Sequence, residues 1–156
     1  MAKKMIQKIE VQALSQILQK FAEEKVSRRF AYSAVKNRMR MQEELGAIQE
    51  VMKPLTEFDV KRLEICKECA KKDETGTPIM IDGKYAGLDG NDEFKIKFSA
   101  LKDEFDPIVE EVNRILQENV EIDFYEVDLE DLPDKMTLAE VELLMPLIKD
   151  PEQDSQ

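Results

Sequence analysis

Apolar residues recur along most of this chain at steps of three and four, the interval that collects them on one stripe of an α-helix. Val11, Leu14, Ile17, Leu18 and Phe21 form such a stripe, which predicts a short amphipathic helix over about 10–21. A second helical pattern opens after Ser27, whose hydroxyl can accept a backbone N–H at a helix start. It runs to about Lys72, with Gly46 and Pro54 as its only weak points. A third begins after Asn91 and carries Phe98, Leu101, Phe105, Ile108, Val112 and Ile115 at alternating three- and four-residue steps, the spacing of a coiled-coil seam. Thr137 stands three residues before Glu140, a capping-box interval that opens a short fourth helix through Leu138, Val141, Leu144 and Ile148, limited by Pro146.

Two segments break the helical rhythm. Asp73-Glu74-Thr75-Gly76-Thr77-Pro78, Asp82-Gly83 and Asp89-Gly90 are turn chemistry around the β-prone run Ile79-Met80-Ile81, so 72–91 reads as a tip holding a small hairpin. Val120, Ile122, Phe124 and Val127 alternate with acids as in a half-exposed strand ended by Pro133. If the two long helices fold back through the tip, facing apolar positions should have numbers that add to a constant. Leu45 with Leu116, Ile48 with Val112, Met52 with Val109, Leu55 with Phe105, Phe58 with Leu101 and Leu63 with Phe98 satisfy this, and Pro54 falls level with Pro107. The fold predicted is therefore mainly α. It is one domain over 1–150, a long bent antiparallel helical hairpin with short flanking helices and a minor β element, followed by a frayed polar tail at 151–156.

Composition narrows the chemistry. The 156 residues include no His, no Trp and two Cys, so a Ser-His-Asp triad, a His-ligated metal or a Cys-His pair cannot be assembled, and no enzyme activity and no cofactor are expected. The net charge of -11 is unevenly laid out. Residues 1–40 carry ten Lys/Arg against Glu10, Glu23 and Glu24, a local +7, which leaves 13 basic and 31 acidic residues, a local -18, in the remainder. The run from Glu118 to Asp134 holds eight acids and no base, and overall acidity argues against direct nucleic-acid binding. No apolar run approaches the ~18 residues of a membrane span, and the N-terminus lacks a long apolar stretch, so a cytosolic protein is expected.

Four segments, Lys25 to Asn37, Gln42 to Leu45, Asn119 to Asp123 and Thr137 to Glu142, together resemble a family of small proteins encoded by tailed phages and prophages. The resemblance implies a phage origin, a host bacterial cytoplasmic or virion-associated setting and a mostly helical hairpin. It supplies no catalytic residue.

Candidate sites follow from spacing and charge. Cys66-Lys67-Glu68-Cys69 has metal-ligand spacing near the hairpin tip, where a second copy could complete a four-thiolate zinc site. Its Lys67-Glu68 continues a helical pattern, however, and no second pair exists, so packing cysteines and no metal are expected. Asp89-Gly90-Asn91-Asp92-Glu93 has alternating oxygen donors but Phe94 where a calcium loop needs Gly, which leaves Asn91 as a helix cap. The basic group Lys25, Arg28, Arg29, Lys36, Arg38 and Arg40 has the acidic 118–134 run as its natural internal partner. Glu121, Asp123, Glu126, Asp128, Glu130 and Asp131, with Arg28 and Arg29, are the candidate partner-binding residues. The function expected is a non-enzymatic module that presents surfaces to another protein, with virion assembly as a setting. The rival is an acidic inhibitor that displays carboxylates where DNA phosphates would sit on a nucleic-acid enzyme.

Overall fold

A computed structural model describes residues 2–151, and these order as β1 (Ala2–Gln7), α1 (Lys8–Lys20), α2 (Arg28–Cys69), β2 (Met80–Ile81), β3 (Lys84–Tyr85), α3 (Asp92–Leu116), β4 (Asn119–Phe124) and α4 (Leu138–Leu144). Three-residue 3-10 turns follow at Leu129–Asp131 and Met145–Leu147. The chain is mainly α, with α2 its longest element. No described helix is long and apolar enough to cross a membrane. Of the expected tail, only Pro151 lies among the described residues. The described residues form two compact units, one made of 1–50 with 114 onward, the other of 51–113.

The first unit is built on a pairing that the apolar pattern did not announce. β1 lies antiparallel to β4, Ala2 opposite Phe124 through Gln7 opposite Asn119, and Lys8 continues the ladder by donating its N–H to the Glu118 carbonyl at 3.0 Å. Only Ile6 of β1 is buried, so its alternation is carried by lysines rather than by apolar side chains. Val127 and Ile148 form a separate, isolated parallel bridge. The predicted stripe of α1 is buried as expected, Val11, Leu14, Ile17 and Leu18 facing inward, with Phe21 edge-on to Phe30 at 5.7 Å. Ser27 caps α2: its Oγ accepts from Phe30 N–H at 3.1 Å and donates to the Asp131 carbonyl at 2.6 Å. Thr137 and Glu140 complete the predicted capping box of α4.

In the second unit, α2 and α3 run antiparallel, as three contacts require: the Phe58 and Phe105 rings meet edge-on at 5.5 Å, Lys61 pairs with Glu104 at 3.7 Å, and Lys97 reaches Glu68 at 2.6 Å. The register differs from the expected one, since Phe105 meets Phe58, which was expected opposite Leu101. Leu63, expected in the seam with Phe98 and beside Cys66, is 45% exposed. Pro54 and Pro107 both lie inside their helices, so Pro107 does not begin a helix. Asn91 caps α3, its Oδ1 accepting from Phe94 N–H at 2.9 Å, and its amide also donates to the Cys69 carbonyl at 3.0 Å, which ties the cap to the end of α2. β2 and β3 form the tip hairpin, and its Asp82-Gly83 turn has positive φ at both residues (51° and 76°), the conformation whose twist suits a two-residue hairpin.

Candidate functional site

The charged residues singled out by spacing converge in the first unit. Arg28, Arg29, Glu126, Asp128 and Asp131 line one groove of about 490 Å³, together with Tyr32, Tyr125 and Val127. Two local devices build it. On α2, Ser33 and Asn37 lie one turn apart on the inner face, fully buried. Ser33 Oγ donates to the Tyr125 carbonyl at 2.8 Å, the Asn37 amide donates to the same carbonyl at 2.9 Å, and Asn37 Oδ1 accepts from Tyr125 N–H at 2.7 Å. Asn37 thus satisfies both backbone groups of Tyr125 where β4 has just ended, doing for that residue what a neighbouring strand would do. The second device is the Ser27 bond to the Asp131 carbonyl, which fixes the other end of the segment.

Between these two anchors the 125–131 segment is held along α2, and its side chains meet the first turns of the helix. Tyr32 and Tyr125 pack edge-to-face at 5.2 Å. Arg29 Nη1 stands 3.8 Å from Asp128 and 4.0 Å from Asp131. Asp131 Oδ2 is buried without a hydrogen-bond partner. Arg28 has no carboxylate partner among the described residues. The walls therefore offer a free guanidinium, an engaged ion-pair cluster and two ring faces, a set suited to gripping a polypeptide that carries charge of both signs beside apolar side chains.

Of the other acidic candidates, Asp123, Glu121 and Glu130 lie outside the groove, and Glu126 on its wall is paired away from it. Asp123 is held by Arg40, whose Nη1 donates to the Asp123 carbonyl at 2.7 Å and lies 3.4 Å from its carboxylate. Glu126 faces Lys4 at 3.4 Å, and Glu118 faces Lys8 at 3.6 Å. Glu121 is exposed on β4 opposite Met5, and Glu130 is exposed on the 3-10 turn. Internal pairing of the acidic run is thus real, but its partners are Arg29 and Arg40 joined by Lys4 and Lys8 of the N-terminal segment, not the whole basic group of α2. Tyr32, Tyr125, Ser33 and Asn37 were missed by sequence reasoning. The one available signal was a Ser-x-x-x-Asn pair on the same helix face as Phe30 and Met41, a face otherwise apolar.

Cys66 and Cys69 are both buried near the end of α2. Burial pushes the Cys69 thiol up, and the Glu93 carboxylate acts in the same direction. No group of three or more His, Cys, Asp or Glu residues that could hold a metal ion occurs among the described residues. The Asp89–Glu93 loop is occupied by its capping role.

Comparisons with protein-family models, with curated proteins and with solved structures find no match to this chain.

Proposed function

We propose that this chain is a non-enzymatic protein-interaction module that docks a partner protein on the Arg28–Asp131 groove. The observation that carries the reading is the convergence, in one groove, of Arg28, Arg29 and Asp131 with two partly exposed tyrosines, since Tyr and Arg are enriched among the anchor residues of protein interfaces. A phage or prophage setting, in the host cytoplasm or on the virion during assembly, is proposed from the resemblance of the four segments named above and from nothing else. The rival, a phosphate-mimicking inhibitor of a nucleic-acid enzyme, needs the acidic run presented outward. Glu118, Asp123, Glu126, Asp128 and Asp131 each lie within 4.0 Å of a Lys or Arg of the same chain, which weakens the negative field that such a surrogate requires.

The test is affinity capture from infected host cells, with mass spectrometry, using the wild-type chain, Arg28→Glu, Tyr32→Ala and the off-groove control Glu121→Gln. The proposal expects a protein captured by wild type and control and lost with both groove variants. Capture indifferent to the groove overturns it. Capture of a nucleic-acid enzyme that is lost in Glu121→Gln favours the rival.

A further inference from the structure

The outer face of α2 next to the groove carries a second feature that the fold does not consume. Tyr32, Val35 and Met39 are 52%, 56% and 64% exposed and follow one another at steps of three and four, so they form a single stripe along the helix. The opposite face of the same turns is already committed: Phe30, Ser33, Asn37 and Met41 are buried. A surface helix needs one apolar face to hold its place, and here it has two.

Charge around the stripe is one-sided. Between Lys25 and Met41 the sequence contains no acid. At 100° per residue, Lys36 and Arg38 flank the stripe on its two sides and Arg28 continues it toward the helix start. Arg29 and Arg40 are engaged by Asp128, Asp131 and Asp123, whereas Arg28, Lys36 and Arg38 have no carboxylate partner among the described residues, and Lys36 rests over the Tyr32 ring at 5.6 Å. In a chain of net charge -11, three cations without a carboxylate partner among the described residues ring this strip of exposed apolar side chains. Beside it, Ser15 of α1 with Val35, Arg38, Met39, Gln42 and Leu45 of α2 line a slot of about 330 Å³, room for one apolar anchor.

We propose that this track receives an amphipathic helix of the partner protein whose apolar side chains, spaced at three and four residues, seat on Tyr32, Val35 and Met39 and whose flanking residues are Asp or Glu facing Lys36 and Arg38. The inference rests on the docking function proposed above and names the chemical class of the partner. A helix is the occupant because the stripe runs along a helix axis for about two turns, the register in which a second helix presents its own row of anchors.

The probe is a pair of synthetic helical peptides of about eighteen residues, or five turns. They share the same Leu positions, one flanked by Glu and the other by Lys, and are titrated against the full chain by fluorescence anisotropy. The Glu peptide should bind at least about tenfold tighter than the Lys peptide, as close pairs of opposite and like charge demand. Lys36→Glu with Arg38→Glu should invert the preference, and Met39→Asp should abolish binding with an unchanged circular dichroism spectrum. Equal binding of the two peptides, or none, overturns the proposal. So does concentration-dependent self-association that Met39→Asp removes, which would make a second copy the occupant, or binding to phosphatidylglycerol vesicles without any peptide preference. If capture through the groove holds while the peptide preference fails, only the partner class falls. If the peptide preference holds while Arg28→Glu leaves capture intact, the groove reading falls and the track stands.

Discussion

Asn37 is the residue on which the site turns, because three hydrogen bonds with no exposure to water join it to Ser33 and to both backbone groups of Tyr125. Asn37→Ala leaves the Tyr125 N–H without its acceptor and its carbonyl one donor short, each unsatisfied buried group costing roughly 1–3 kcal/mol. A loss of about 2–4 kcal/mol in a urea unfolding series is therefore expected. An unchanged midpoint would mean that water replaces the amide without cost. Ser27, Asn91 and Thr137 were legible as caps because each acts on a backbone N–H within three residues, so sequence proximity and spatial proximity coincide. Asn37 was not, because its partner is 88 positions away and nothing local marks a polar side chain as the neighbour of a distant strand end.

At the scale of elements, the helices declared themselves through periodicity and the strands did not. β4 was legible as a strand, but its partner β1 has a single buried side chain, and a strand that places a lysine on each face leaves no apolar signature. The α2–α3 pairing of the second unit was legible in direction and less so in register, since long side chains reach across positions that a facing-residue rule holds apart. Phe105, 3% exposed against Phe58 and beneath the Lys61 ammonium, should cost about 3–5 kcal/mol when cut to Ala, read from a denaturation midpoint. Between α1 and α4, Glu140 both closes the capping box and receives Lys20 Nζ at 3.0 Å. The Lys20 hydrogen bond, aided by the backbone N–H of Thr137, holds its carboxyl below the ordinary carboxylate range. A folded-state pKa below the unfolded one stabilises the fold above that range and loses its effect as pH falls through it. Glu140→Gln should accordingly lower the melting temperature at neutral pH and converge with wild type in acid, a comparison made by thermal scans across the carboxylate range. A constant offset at every pH would assign the residue to packing instead.

The molecule as a whole carries the charge division that its sequence displays, and the first unit partly closes it on itself through Lys4, Lys8, Arg29 and Arg40. These pairs are exposed enough that Arg29→Glu should cost no more than about 1 kcal/mol, a difference that shrinks in high salt, while Arg28→Glu should leave unfolding unchanged. Equal losses from both reversals would contradict the assignment of Arg28 as free. The β1–β4 ladder has a further bearing on how the protein comes into being. As a nascent chain leaves the ribosome, β1 emerges well ahead of β4 and then waits while more than a hundred residues are translated, its sheet partner not yet made. Bringing such distant ends together costs on the order of 4 kcal/mol in chain entropy before any ladder bond repays it, whereas the tip hairpin and the α2–α3 turn close over short spans. Pulse-labelled hydrogen exchange during refolding should therefore protect amides of 51–113 ahead of those of Ala2–Gln7 and Asn119–Phe124, and simultaneous protection would show that the two ends find each other without help from the middle.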